Sequence, residues 1–221
     1  MQYFVPVWLA ISIPVLLTFA YVYCATRRQG RQTWRSLAKS GATFTAVMTA
    51  VLGIVLYDRS PQHWLLVLGT FLCAVSDTAI EHSFLAGVVS FGLAHMAFIA
   101  YMIVLNGFVL WCLLPAVVLY LAALLIFRKQ LWKAGKLQAP MLLYMAVLAV
   151  MTGMAVVLPF TLATEYTVFA VGAVMFAVSD LFVARGVLAE PTDRKESDLE
   201  SNLVLLLYYA AVYAMASVLL L

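Results

Sequence analysis

The chain has few charged residues. Only 10% of its 221 residues are Asp, Glu, Lys or Arg, whereas 66% are apolar. This polar fraction is too small to cover the surface of a soluble domain, so the composition excludes a water-soluble protein and predicts an integral membrane protein. The net charge is only +3, which gives no reason to expect a nucleic-acid partner.

Metal-binding and nucleophilic patterns are scarce as well. The chain has three histidines and three cysteines, none of them in a metal-ligand spacing: His63, His82, His95, Cys24, Cys73 and Cys112. This disfavours a membrane hydrolase built on His-ligated zinc, and we expect no metal and no cofactor. We interpret the cysteines as small apolar helix residues and place His63 and His82 at the membrane interfaces. The sequence contains neither Gly-x-Ser-x-Gly, the signature of many serine hydrolases, nor a phosphate-cradling glycine loop.

Long apolar runs are what the sequence has in abundance. About 20 mostly apolar residues are needed to cross a bilayer, and eight such segments follow one another with short links. They cover residues 3–25, 41–57, 63–80, 84–105, 107–127, 140–160, 165–184 and 201–221. The run 84–127 is divided at Asn106-Gly107, because this pair is a strong turn signal. The sequence therefore predicts an all-α membrane bundle of eight transmembrane helices in a single domain, 1–221.

The positive charges favour one orientation of this bundle. Twelve of the 13 Lys and Arg residues follow predicted helices one, five and seven, and only Arg59 lies on the other side. These loops are therefore predicted to be cytoplasmic, with both termini outside. No basic residue precedes segment 3–25, so we expect an uncleaved first helix rather than a signal peptide. The polar stretch 185–200 is predicted to be a solvated linker. A bacterial inner membrane fits best, with the endoplasmic reticulum as the alternative.

Two nine-residue stretches inside apolar segments match one another. Residues 69–77 and 172–180 share their first Gly and a final Ala-Val-Ser-Asp. An ionised carboxylate costs about 2.5 to 3.5 kcal/mol at the centre of an inserting helix, so two matching aspartates indicate a function. Both segments run in the same direction, which places Asp77 and Asp180 near the same membrane face. The match is compatible with a four-plus-four internal duplication.

Helical spacing places each of these aspartates on one face with its Gly and Ser, the face expected to line a buried cleft. If Asp77 and Asp180 share a site, like-charge repulsion leaves one protonated and the other ionised, which provides an acid and a base. The alternative is that each aspartate only bonds a neighbouring helix or pairs with a cytoplasmic Lys or Arg.

Other polar residues in the predicted helices are further candidates. His95 could relay a proton or position water, or it could only bond another helix. Lys39, at the predicted start of helix two, could counter a lipid phosphate or simply snorkel to the interface. The hydroxyls of Tyr144, Tyr208 and Tyr209 could reach a headgroup or the two acids.

Taken together, these residues resemble the YhhN-like lysoplasmalogenase family over nearly the whole chain. The resemblance is carried by Lys39, Ser76-Asp77, the run 91–95 that ends in His95, Tyr101, Tyr144, the stretch 172–180 and Tyr208-Tyr209. The chain departs from the usual family pattern at three positions, where the family has Pro, Gly and Gln: Ser40, Ser76 and Val212.

The resemblance implies hydrolysis of the vinyl ether bond of lysoplasmenyl-ethanolamine or lysoplasmenyl-choline, with release of a fatty aldehyde and glycerophospho-ethanolamine or glycerophospho-choline. Such a reaction needs an acid that protonates carbon and a base that activates water, as in glycoside cleavage. The expected catalytic residues are Asp77, Asp180 and His95. The lysophospholipid, bound within membrane lipids, is expected to contact Lys39, Ser76, Tyr101, Tyr144, Ser179, Tyr208 and Tyr209.

Two other classes of protein also use paired intramembrane acids. A proton-coupled transporter of small molecules or lipids is the main alternative, because proton relays combine acids with histidine. An intramembrane aspartyl protease ranks last, because its Gly-x-Gly-Asp and Pro-Ala-Leu signatures are absent from the sequence.

Overall fold

The computed structural model describes residues 4–27, 29, 32–188 and 198–221. These residues form eight α-helices, four short 3-10 turns and no strand. The helices are α1 Phe4–Arg27, α2 Gln32–Leu56, α3 His63–His82, α4 Phe84–Asn106, α5 Leu113–Lys133, α6 Gln138–Thr161, α7 Thr167–Leu188 and α8 Asp198–Ser217. The described part contains eight segments long and apolar enough to cross a membrane. The predicted all-α membrane bundle is therefore confirmed.

Polar residues extend three helices beyond the predicted spans. Helix α2 begins at Gln32 rather than at residue 41, so Lys39 lies inside the helix and not at its start. Helix α7 continues to Leu188 and α8 begins at Asp198, which makes both ends of the predicted linker 185–200 helical. Residues 189–197, at the centre of the predicted linker, lie outside the described residues, together with five of the linker's charged residues. Arg28 and Arg31 also lie outside the described residues. Hydropathy missed the start of α2 because contacts with α3 stabilise its polar turns.

The division of the long apolar run at Asn106-Gly107 is confirmed. Helix α4 ends at Asn106, and Gly107 follows with a φ of 72°, a left-handed conformation that glycine adopts readily. The Asn106 side chain donates to the Thr161 hydroxyl at 2.6 Å, which ties this turn to the end of α6. At the other end of α4, Ser83 caps the helix by accepting a bond from the Ala86 amide.

The order of helix packing repeats between the two halves of the chain. Consecutive helices pack together within α1–α4 and within α5–α8, and the halves meet where α2 packs on α8 and α4 packs on α6. If α1 to α4 are matched in order with α5 to α8, these two contacts become equivalent. The same matching pairs α3 with α7, the helices that carry the repeated stretches. This is the neighbour order that a four-plus-four duplication produces.

The first glycine of each repeated stretch allows a close helix contact. A Cβ atom on Gly172 would lie 2.7 Å from the Ala211 carbonyl oxygen and 3.1 Å from the Met215 amide nitrogen of α8. A Cβ on Gly69 would lie 2.3 Å from the Phe98 ring of α4. Helices in lipid associate through such close packing of small residues. The two glycines therefore seat α8 and α4 against the helices that carry the aspartates.

Replacement of Gly172 by alanine should destabilise the bundle. The added methyl group meets backbone atoms that cannot rotate away, so we expect Gly172→Ala to lower the free energy of unfolding by about 1 to 3 kcal/mol. Gly92→Ala is the matched control, because its Cβ would meet nothing closer than 3.8 Å. It should leave stability unchanged or raise it by up to about 1 kcal/mol through helix propensity. Thermal unfolding in detergent measures both, and equal midpoints would contradict the close-contact argument.

Candidate active site

One end of the bundle encloses a cavity of about 660 Å³. This volume falls within the range of ligand pockets, roughly 300 to 1,000 Å³. Its lining comes from the C-terminal parts of the odd-numbered helices and the N-terminal parts of the even-numbered helices, so it lies at one membrane face. Both Asp77 and Asp180 line it. Deeper in the bundle, the centre is filled by the fully buried rings of Phe98, Phe169 and Phe176.

Asp77 lies near the end of α3, and its side chain is fully buried. Its Oδ2 atom accepts hydrogen bonds from the Thr43 hydroxyl of α2 and, at 2.9 Å, from the Tyr208 hydroxyl of α8. Its Oδ1 atom has no hydrogen-bond partner in the described part of the chain, and Lys39 Nζ lies 3.8 Å away. One oxygen of Asp77 is therefore fixed by two hydroxyls, while the other is available to a proton or a ligand.

Asp180 occupies the corresponding position on α7, with a side chain that is 14% exposed. The Tyr144 hydroxyl of α6 donates to its Oδ2 atom. His95 Nε2 of α4 lies 3.0 Å from the Tyr144 hydroxyl oxygen and 3.7 Å from Asp180 Oδ2. Within the described residues, His95 Nδ1 is buried without a hydrogen-bond partner. The three side chains thus form a polar chain that joins α4, α6 and α7.

The two carboxyls line one cavity but have separate partners. Among the hydrogen bonds of the described residues, none joins Asp77 to Asp180 directly. Cys73, one turn before Asp77, is fully buried. The rings of Phe91 and Tyr208 meet edge to face with centroids 5.8 Å apart, on the wall that the two aspartates share. The structure therefore provides two distinct acidic groups in one chamber.

A cluster of charged residues at this membrane face was missed by the sequence analysis. Glu81 follows Asp77 by one turn, and its side chain is 6% exposed. It accepts a 2.5 Å hydrogen bond from Arg35 Nε and a 3.1 Å bond from the Tyr23 hydroxyl, and it lies 3.6 Å from Lys39 Nζ. The spacing in the sequence could have predicted this cluster. Asp77 and Glu81 are four residues apart, as are Arg35 and Lys39, which puts each pair on one helix face. The sequence analysis did not use this spacing, because the predicted spans placed Arg35 and Glu81 in loops and Lys39 at the start of helix two.

The remaining predicted site residues near this face differ in their placement. Ser179 lines the cavity, and its hydroxyl donates to the Val204 carbonyl of α8 at 3.1 Å. Ser76 is fully buried and bonds the Leu72 carbonyl of its own helix, away from the cavity lining. Tyr209 links α8 to α2 through the Lys39 carbonyl at 3.4 Å. Val212 is buried in the apolar core.

Tyr101 lies at the opposite end of the bundle and is not brought to the cavity. Its hydroxyl lies 3.3 Å from Nδ1 of His63, whose Nε2 lies 2.8 Å from the exposed Asp58 carboxylate. Hydrogen bonds from Ser60 and His63 lower the pKa of Asp58 to about 2. His63 is at the end of α3, as predicted, but its ring is buried. This cluster anchors the α2–α3 loop.

Comparison with known proteins identifies the family of the chain. The model of the YhhN family matches residues 34–219, a range that includes Lys39, both aspartates, His95 and Tyr144. Neither the curated proteins nor the solved structures gave a match to the chain. The match covers most of the chain and every described helix except α1. The chain therefore belongs to the YhhN family, the family of lysoplasmalogenases.

Proposed function

We propose that the protein is a vinyl ether hydrolase that cleaves lysoplasmenyl-ethanolamine or lysoplasmenyl-choline to a fatty aldehyde and glycerophospho-ethanolamine or glycerophospho-choline. The observation that supports this proposal most strongly is that two aspartates, on corresponding turns of α3 and α7, line the same cavity. Family membership supports the reaction class. The distribution of Lys and Arg supports a cytoplasmic position for the cavity and outward-facing termini.

The chemistry of a vinyl ether defines what two acidic groups must do. A proton is added to the carbon that is not bonded to oxygen, and the product is an oxocarbenium ion. Water then adds to the carbon bonded to oxygen and loses a proton to a base, which gives a hemiacetal. The hemiacetal breaks into aldehyde and alcohol. The reaction consumes one water and returns the proton, so one protonated acid and one base suffice, as in glycoside cleavage.

Asp77 is the proposed acid. Two hydroxyl donors occupy its Oδ2 atom, so the proton for transfer would be carried on Oδ1, which has no hydrogen-bond partner among the described residues. After transfer, the Lys39 ammonium group at 3.8 Å would stabilise the carboxylate that remains. Lys39, Arg27 and Arg35 also line the cavity, where they would attract the phosphate of the headgroup.

Asp180 is the proposed base. Both aspartates accept hydrogen bonds from hydroxyls, but the Asp180 side chain is 14% exposed and accessible to water, which favours its ionised form more than that of the fully buried Asp77. When Tyr144 donates to Asp180, its oxygen can accept a bond from His95 Nε2–H, which fixes the orientation of the phenol. The carboxylate would stabilise the oxocarbenium ion and then take a proton from the attacking water.

Removal of either carboxyl should abolish most of the activity. We expect Asp77→Asn and Asp180→Asn each to lower the rate of aldehyde release from lysoplasmenylethanolamine by about 10² to 10⁴, the usual contribution of a general acid or base. Asp58→Asn, at the opposite end of the bundle, should keep nearly the parental rate. A lipid with a saturated ether should give no aldehyde. Parental rates from correctly inserted Asp77→Asn and Asp180→Asn would refute the proposal.

Rescue by a small carboxylate should separate the two roles. Formate is ionised at neutral pH, so it can replace a missing base but cannot donate the missing proton. Sodium formate should therefore restore part of the aldehyde release in Asp180→Ala and none in Asp77→Ala, with acetamide as the uncharged control. Rescue of Asp77→Ala alone would reverse the assignment of acid and base.

A proton-coupled transporter is the second candidate, because the chain His95–Tyr144–Asp180 also suits proton transfer. The filled centre of the bundle disfavours a continuous pathway across the membrane. Proteoliposomes discriminate between the two candidates. Solute uptake driven by a pH gradient, with no aldehyde released from vinyl ether lipid, would favour the transporter.

A further inference from the structure

The walls of the cavity differ in chemistry. Helices α1, α2 and α3 contribute most of its charged residues, which are Arg27, Arg35, Lys39, Asp77 and Glu81, and α7 and α8 add Asp180, Glu200 and both polar and apolar residues. Helices α4, α5 and α6 contribute an apolar surface, here named the Phe–Met wall, which consists of Phe84, Val88, Phe127, Met141 and Met145. A ligand that fits both surfaces must itself have a charged part and an apolar part.

The Phe–Met wall belongs to an apolar cluster that is separate from the main core. Phe127, Met141 and Met145 pack with residues of α5 and α7, and Phe84 packs against this cluster from the start of α4. Met141 and Met145 are both almost fully buried. Methionine side chains are flexible and adapt to ligands of varied shape. The wall can therefore change its shape without disturbing the packing at the centre of the bundle.

An aliphatic chain cannot continue from the aspartates along the bundle axis. The rings of Phe98, Phe169 and Phe176 are fully buried there and pack edge to face or tilted against their neighbours. Phe98 is also held in contact with Gly69. A chain attached to a reactive bond between Asp77 and Asp180 must therefore leave the site sideways, and the Phe–Met wall is an apolar surface of the cavity that can receive it.

We propose that the Phe–Met wall binds the aliphatic chain of a single-chain phospholipid and sets the chain length that the protein accepts. This inference rests on the proposed function, because it places the vinyl ether bond between the aspartates. The charged residues of α1 to α3 would hold the headgroup, which leaves the apolar wall for the chain. Within a membrane the chain leaves lipid rather than water, so its binding depends on how well it packs against the wall, and chain length should matter until the wall is covered.

Bulk added at Met145 tests the wall directly. Met145 lines the cavity, whereas Leu143, two residues earlier on α6, is 68% exposed on the lipid-facing surface. We would measure binding of lysophosphatidylethanolamines with 10 to 18 chain carbons to the protein in nanodiscs. These ester lipids contain no vinyl ether. Each variant is compared with the parent at the same chain length, so partition of the lipid into the bilayer cancels.

Met145→Trp should weaken binding of the 18-carbon lipid by about fivefold or more, because the indole overlaps the space that a long chain needs at the wall. Binding of the 10-carbon lipid should change by less than about threefold, and Leu143→Trp should change neither. Met145→Ala, a smaller residue, should shift the preferred chain toward greater length. Equal weakening at all lengths, or a response of Met145→Trp identical to that of Leu143→Trp, would overturn the proposal.

The same variants separate this proposal from the proposed hydrolase. Length-dependent binding that responds to Met145, in a protein that releases no aldehyde, would support the chain site and refute the hydrolase. Aldehyde release with a chain-length dependence that does not respond to Met145 would refute the chain site and leave the hydrolase intact. If Met145→Trp does not fold, Met145→Ala decides, because an unchanged length preference in that variant overturns the proposal.

Discussion

The need to satisfy two carboxyl groups inside a membrane governs this structure. The hydrocarbon core offers no water to a buried acid, so neighbouring helices must supply its partners. Asp77 obtains them from α2 and α8, and Asp180 obtains them from α6 and α4. These pairs of helices are also the pairs that join the two halves of the bundle. The helix contacts that give the aspartates their polar partners are therefore the same contacts that hold the two halves together.

The two halves have similar helix arrangements but surround their aspartates with different side chains. In each half, a glycine brings the following helix close and an aspartate two turns later reaches the cavity. The partners differ, because Asp77 is near an ammonium group and two hydroxyls, whereas Asp180 is near a phenol and an imidazole. Identical surroundings would give two carboxyls with the same protonation behaviour. The difference between the surroundings is what acid and base catalysis requires.

The position of the cavity fits an amphipathic ligand better than a solute that crosses the membrane. Most of the charged residues lie on the side of α1 to α3, the Phe–Met wall lies on the side of α4 to α6, and packed aromatic rings close the deep end. A headgroup at the membrane face and a chain along the Phe–Met wall would leave the bond between them beside the aspartates. The Arg35–Glu81 ion pair stiffens the charged side, because it ties the start of α2 to the end of α3.

The sequence by itself determined the membrane class, the eight helices, the Asn106-Gly107 turn and the shared face of the two aspartates. These features depend on local hydropathy, turn chemistry and helix direction, which are readable along the chain. Only the tertiary structure decided that α2 begins at Gln32, that Glu81 joins the charged cluster, and that Tyr101 lies at the far end. It also brought His95 to Asp180 through Tyr144. Such pairings depend on how each helix is rotated about its axis, and that rotation is set by packing between helices distant in sequence.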